Sequence, residues 1–166
     1  MLDQSIALRP VSEADHEFLV GLFADTRAAE IALLPAEIVP TFAAQQYGLQ
    51  QLQYRSRFPD AARSIITRVT AAGVTDVGQI IADRPVGKPW TVVDIAVALT
   101  ARGRGIATAV LQSLCADADA AGVDLTLQVV EDNPARRLYE RLGFTAAPNG
   151  SLHVPMRRTP KDGVTP

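Results

Sequence analysis

The segment Thr100-Ala101-Arg102-Gly103-Arg104-Gly105-Ile106-Ala107-Thr108 constrains this chain more than any other. It follows a strongly apolar strand pattern and opens a strongly apolar helix pattern. A glycine-bearing turn in that place converges several backbone N–H groups on one point, at the positive end of the helix dipole. Such a turn suits a phosphate or pyrophosphate. It also has a plainer reading, a strand-to-helix turn that uses glycine for its geometry.

The length of 166 residues argues for one domain with room for a core, expected over residues 1–158 with a disordered tail over 159–166. Hydrophobic residues make up 48% and charged residues 20%, an ordinary globular composition. A net charge of −2 gives no nucleic-acid footprint and no polybasic membrane patch. No apolar run approaches the ~20 residues needed to span a bilayer. Met1-Leu2-Asp3 does not open a signal peptide, so the expected location is cytoplasmic. Cys115 is the lone cysteine and reads as a small core residue. With two histidines, His16 and His153, there is little material for a metal site, and none is expected.

Ser5 to Leu8 reads as a first strand, stopped by Pro10. Ser12 and Asp15 resemble a capping box ahead of a helix whose apolar face is Phe18, Leu19, Leu22 and Phe23. Pro35 and Pro40 break the pattern, and a second helix runs from Thr41 to Arg57. Gln46, Gln50, Tyr54 and Phe58 recur every four residues, so they lie near one face. Ile65–Val69 and Val77–Ala82 form an antiparallel hairpin across Ala72-Gly73. Trp90 to Leu99 is apolar on both faces apart from Thr91 and Asp94, as a buried central strand would be. Gly122 suits the end of the helix that starts at Ile106. Val123 to Val130 alternates strictly, as a strand with one buried face does. Asn133-Pro134 starts a short helix that Gly143 closes, and Phe144–Ala146 and Leu152–Arg157 read as two last strands across Pro148-Asn149-Gly150. The order gives a mixed α/β (α+β) sheet rather than regular βαβ alternation.

A Walker A loop is excluded, because no Gly-Lys-Ser/Thr follows the glycines. Gly103-x-Gly105-x-x-Thr108 comes near a dinucleotide fingerprint, with Glu131 ending the next strand. Against it, Thr108 replaces the third glycine, and several residues separate the strand from Gly103. Only 35 residues follow Glu131, too few for a nucleotide-binding half.

Downstream, Asn133-Pro134-Ala135-Arg136-Arg137-Leu138-Tyr139-Glu140-Arg141-Leu142-Gly143-Phe144 completes a pattern. Together with Val97 and Arg102-Gly103-Arg104-Gly105-Ile106-Ala107, it closely resembles the GNAT (GCN5-related N-acetyltransferase) family. The family's acyl-CoA loop reads Gln/Arg-x-x-Gly-x-Gly/Ala, and Arg102, Gly105 and Ala107 fill those positions. The match is specific over residues 90–145. Residues 1–60 more loosely resemble a bacterial subgroup, through Arg27-x-x-Glu30, Gln46, Gln50, Tyr54 and Phe58-Pro59.

The resemblance implies a mostly antiparallel sheet, splayed at the CoA site and flanked by helices. It implies acetyl-CoA as cosubstrate, an amine acceptor, either a small molecule or a peptide, and direct transfer in a ternary complex. Dimers are common in the family. Backbone N–H groups from Arg102 to Thr108 would hold the pyrophosphate, with charge added by Arg102 and Arg104. The backbone of Ile95, Ala96 and Val97 would pair with the pantetheine arm. The matching tyrosine, Tyr139, would be the acid for the leaving thiolate; its plainer role is an aromatic on a short helix. Asn133 would lie near the pantetheine and is also a good helix cap. Arg136 would approach the CoA 3′-phosphate.

Asp94 is a carboxylate inside an apolar run, so it must be paired, protonated or beside a polar cavity. It reads either as a general base or as a structural aspartate, and strand parity beside a bulge leaves both open. Arg27, Glu30, Gln46, Gln50 and Tyr54 are the substrate-side candidates; otherwise they are helix surface with an i,i+3 ion pair. Two other readings stand beside the enzyme: a CoA-binding module without efficient transfer, and the dinucleotide binder.

Overall fold

The computed structural model describes residues 5–147 and 151–161. Seven strands form one sheet in the order β1-β2-β3-β4-β5-β7-β6. They are β1 (Ile6–Pro10), β2 (Ala62–Thr70), β3 (Gly73–Asp83), β4 (Trp90–Val97), β5 (Leu125–Val130), β6 (Thr145–Ala146) and β7 (His153–Arg158). Every neighbouring pair is antiparallel except β4 and β5. The helices are α1 (His16–Thr26), α2 (Ala28–Ile31), α3 (Val39–Arg57), α4 (Ile106–Ala121) and α5 (Arg136–Arg141).

Local chemistry accounts for most boundaries. Ser12 N–H donates to the Asp15 carboxylate at 2.7 Å, which sets the entry to α1. The helix α3 begins at Val39, earlier than expected, because Pro40 falls in its first turn, where no N–H is needed. Pro10 is the last residue of β1 rather than a stop before it, as an edge strand tolerates. The single turn α2 carries no buried residue, so its sequence has no periodicity to betray it. Gly122 ends α4 at φ 64°. The turn 148–150 lies outside the described residues. Of the expected tail, Lys161 N–H donates to Asp119 at 2.8 Å, and residues 162–166 lie outside the described residues.

Two apolar layers sandwich the sheet. On one face, Ile106, Val110, Leu111, Leu114 and Cys115 of α4 pack with Ile66, Ile80, Val92, Leu125, Leu127 and Met156. Each large side chain buried there contributes about 1.5–3 kcal/mol. On the other face, Leu19, Leu22 and Phe23 of α1 and Tyr47 of α3 pack with Ile65 and Ala96.

Two irregularities shape the centre of the sheet. In the β3–β4 ladder, Ile81 pairs with Asp94 and Ala82 with Val92, so Val93 is a bulge. The parallel β4–β5 ladder runs only from Trp90–Leu125 to Val92–Leu127. Beyond that rung β4 stays with β3, and β5 continues with β7. The two strands diverge into a V at the residue where β4 bulges. Thr91 and Thr126 meet side chain to side chain at 3.1 Å in its closed end.

Candidate active site

The V opens toward the loop that leads into α4. Gly103 and Gly105 both sit at φ 72°, a left-handed conformation that disfavours a side chain. Ala101 N–H and Arg102 N–H return to the carbonyls of Ala98 and Leu99. After that, the N–H groups of Gly103 and Arg104 find no acceptor among the described residues. Gly105 caps α4, and the first i→i−4 bond is Ala109 N–H to Gly105 O at 2.9 Å. The N–H groups of Gly105, Ile106, Ala107 and Thr108 are therefore the free donors of a helix start. Consecutive donors from Gly103 to Thr108, with the helix dipole behind them, fit a pyrophosphate.

The two loop arginines differ. Arg104 is exposed in the loop. Arg102 is tied to the chain: Nε donates to Val97 O at 2.9 Å, and a terminal nitrogen donates to Asp25 O at 3.3 Å. Asp25 also accepts Leu99 N–H at 2.9 Å. The end of α1 thus pins the loop, a role for Asp25 that sequence reading missed. Arg102 braces the loop through these two bonds while its side chain stays exposed. Arg136 likewise pairs with Glu140 at 3.0 Å on α5, an ordinary i,i+4 bridge.

From Asp94 to Val97, β4 is paired on the β3 side only. Close approach there depends on Gly78, where a Cβ would lie 2.4 Å from Ala96 O. The bulge sends Val92, Ile95 and Val97 to the α4 layer. Asp94 and Ala96 face α1 and α3 instead, where they line a cavity of about 180 Å³ with Phe23, Tyr47, Gln50, Gln79 and Asn133. Asp94 belongs to neither apolar layer, and it forms no salt bridge among the described residues. Burial pushes its carboxyl up to about 6; the Ile95 N–H and the charges of Arg27 and Arg63 pull the other way. Asn133 accepts Ala135 N–H at 2.9 Å in the turn before α5, whose N-cap is Ala135 rather than the expected Asn133.

Tyr139, on α5, packs within the α4-side apolar layer and lines neither cavity. Its ring is buried edge-on to Phe144, centroids 6.0 Å apart, and its hydroxyl makes no hydrogen bond within the described residues. Burial, and then the Asp94 charge, push the phenol up to about 12. Tyr47 and Tyr54 are raised as well, burial first, with Asp94 contributing. Arg63, also missed by sequence reading, stands on β2 toward the same layer. It donates to Gln51, while its other terminal nitrogen is buried without a partner among the described residues.

A larger cleft of about 1000 Å³ adjoins the small cavity, and Phe23 and Gln50 line both. It gathers Arg27, Gln46, Gln50 and Tyr54, four of the substrate-side candidates. Glu30 lines neither cavity and pairs with Arg27 at 3.2 Å. Gln53, Arg57 and Arg157 also line the cleft. The first two could have been found by extending the α3 register one residue and one turn; Arg157 could not, because only the β5–β7 pairing brings it there.

A sheet split beside the N-terminus of a helix, with a donor-rich loop on one face and a polar cavity on the other, defines an acyl-CoA transferase fold. The chain belongs to the GNAT acetyltransferase family: the family model described as "Acetyltransferase (GNAT) family" matches residues 44–144. It is an acyltransferase. Solved structures share the fold. One is the histone acetyltransferase HPA2 and related acetyltransferase from Corynebacterium glutamicum, with 21% identity over 98% of this chain and 100% of that one, TM-score 0.67. Another is the PaiA N-acetyltransferase from Thermoplasma acidophilum in complex with coenzyme A, with 15% identity over 94% and 99%, TM-score 0.65. A third is an acetyltransferase from Thermus thermophilus, with 22% identity over 96% and 99%, TM-score 0.65. No curated protein sequence matches the chain. The dinucleotide reading falls with the family assignment and with the sheet, whose single parallel pair cannot make the doubly wound half such a fold needs. No helix among the described residues is long and apolar enough to cross a membrane.

Proposed function

We propose that the chain moves the acetyl group of acetyl-CoA directly to a primary amine while both substrates are bound. One observation carries the reading: the V between β4 and β5 has the donor-rich α4 loop at its mouth and Asp94 on the far face. A thioester threaded through the V meets an amine arriving from the α1–α3 side.

Acetyl-CoA, when bound, supplies the acyl group activated on sulfur. The backbone N–H groups of Gly103 to Thr108 hold its pyrophosphate. The edge of β4 at Ile95 to Val97, which no strand covers and where Arg102 takes Val97 O, hydrogen-bonds the pantetheine arm through its remaining groups as an added strand would, and Asn133 borders the same space. An N–H on that edge polarises the carbonyl oxygen. Holding both reactants in the V makes much of the rate gain positional.

Asp94, with its pKa raised to about 6, is ionised at neutral pH yet basic enough to take the amine's proton, directly or through water. Tyr139 keeps its proton and offers it to the sulfur as the carbon–sulfur bond breaks. With the phenol pushed up to about 12 and a thiol near 8.5, complete transfer is uphill by about 5 kcal/mol. Its contribution is therefore a hydrogen bond that strengthens as charge builds on sulfur, and solvent returns any proton lost. Gln46, Gln50, Tyr54 and Arg27 contact the acceptor.

An acceptor screen tests this, with free thiol release read across amines and CoA affinity measured by calorimetry. Saturable, amine-dependent release supports transfer. Tight CoA binding with no release for any amine makes the chain a CoA-binding module instead.

A further inference from the structure

The acceptor cleft has a consistent charge. Arg27, Arg57 and Arg157 line it, and among the described residues no Asp or Glu does. Arg157 pairs with Asp124 and Arg27 with Glu30, but both carboxylates lie outside the lining. Arg57 has no carboxylate within salt-bridge distance among the described residues; its guanidinium lies over the Phe58 ring, 5.4 Å from the centroid. Arg27 lies over Phe23 at 5.1 Å. These contacts hold both guanidiniums beside aromatic rings of the cleft wall; the donors of Arg57, and those of Arg27 that Glu30 does not take, are left for an anion. The other polar groups of the wall are not acidic; they include Gln46, Gln50 and Gln53 from α3, Gln128 from β5, and Tyr54. Asp94, the carboxylate nearby, lines the small cavity, which shares Phe23 and Gln50 with the cleft.

A molecule spanning the two spaces therefore meets a carboxylate at one end and stacked guanidiniums at the other. We infer that the acceptor is an amine that also carries an oxyanion such as a carboxylate, its amine end at Asp94 and its acidic end at Arg27 and Arg57. A polyamine or a lysine-rich segment would set its remaining cations against the arginines, where like charges repel. The inference rests on the transfer reading and deepens it.

The test is thiol release with acetyl-CoA and the L-amino acids, each beside its own amide, with spermidine as the polycation. Glycine against aminomethylphosphonate tells which oxyanion is preferred. The expected result is a kcat/KM at least about tenfold higher for the acids than for their amides, carried by KM, with spermidine poorest. In Arg57→Gln and Arg27→Gln the acid-over-amide ratio should fall toward one. Calorimetric CoA binding by each variant shows that it is folded. Equal rates for acids and amides, a preference for spermidine, or a ratio unchanged in both variants overturns the inference and leaves transfer standing. No release with any amine, CoA being bound, overturns the transfer reading and this inference together.

Discussion

Val92 and Asp94 lie two residues apart on one strand and face opposite sides of the sheet. Val92 packs in the α4 layer, while Asp94 lines the cavity under α1 and α3. A regular strand would put both on one face. The Val93 bulge between them reverses the alternation and delivers a carboxylate to the split in the sheet.

Asp94→Asn should be less active and more stable. An ionised Asp94 sits in surroundings that favour its neutral form, so the folded state holds its proton up to about pH 6, whereas an unfolded aspartate loses it near 3.9. Between those values the folded state binds more protons, so stability falls as pH rises through the window. The penalty above pH 6 is about 1–3 kcal/mol, allowing for solvent in the cavity. Urea unfolding at pH 7 should favour the Asn variant by that amount, and the difference should vanish near pH 3.5. The wild-type rate should fall on the acid side with a midpoint at about pH 6, and the Asn variant should lose that limb.

Tyr139→Phe removes only the hydroxyl. Because that hydroxyl has no hydrogen bond among the described residues, melting temperature and CoA affinity should stay close to wild type. The turnover number should drop by about 10²-fold, the lower range for loss of a positioned acid. Full-rate acetylation by the Phe variant would remove Tyr139 from the chemistry. Tyr139→Ala is a different experiment, since it also opens a hole against Phe144 and should cost about 3–5 kcal/mol of stability.

Gly105→Ala tests the loop. A Cβ there meets nothing within 4 Å, so the cost comes from φ 72° alone, about 1–2 kcal/mol. If the loop relaxes to relieve it, the converging N–H groups move, and CoA affinity should fall by more than about tenfold. Gly105→Asn, which tolerates the left-handed region better, should retain more. Calorimetry on the three proteins gives the order.

Gly78→Ala probes the sheet beside the site. The added Cβ would meet Ala96 O at 2.4 Å, with Ile66 Cδ1 at 3.2 Å behind. Backbone cannot yield as a side-chain tip can, so β3 and β4 must part, at a cost of about 1–3 kcal/mol. Lower denaturation midpoints should come with weaker CoA binding, because the displaced backbone is the free edge of β4.

Much of the fold was legible in advance. The α4 loop, its two glycines and the alternation of β5 are local patterns, set by spacing and by backbone conformations that few residues adopt. The grouping of Gln46, Gln50 and Tyr54 followed from helical periodicity, and they do share one cleft. Arg102 shows what the sequence left out: beside its place in the glycine loop, its side chain donates to Val97 O and Asp25 O. Asp25 itself gave no signal, because its partners lie 74 and 77 residues away.

The sequence by itself determined the loop that opens α4. A helix start with unbonded N–H groups needs only a strand, a left-handed turn and an apolar helix face, all contiguous in the chain. Tertiary structure decided the cavities on the α1–α3 side. Whether Asp94 points into the core or toward α3 depends on one bulged residue, which apolar alternation cannot register in a strand buried on both sides. The joining of Arg27, Arg57 and Arg157 around one cleft depends on three elements meeting across the sheet, and their charge has meaning only once they meet.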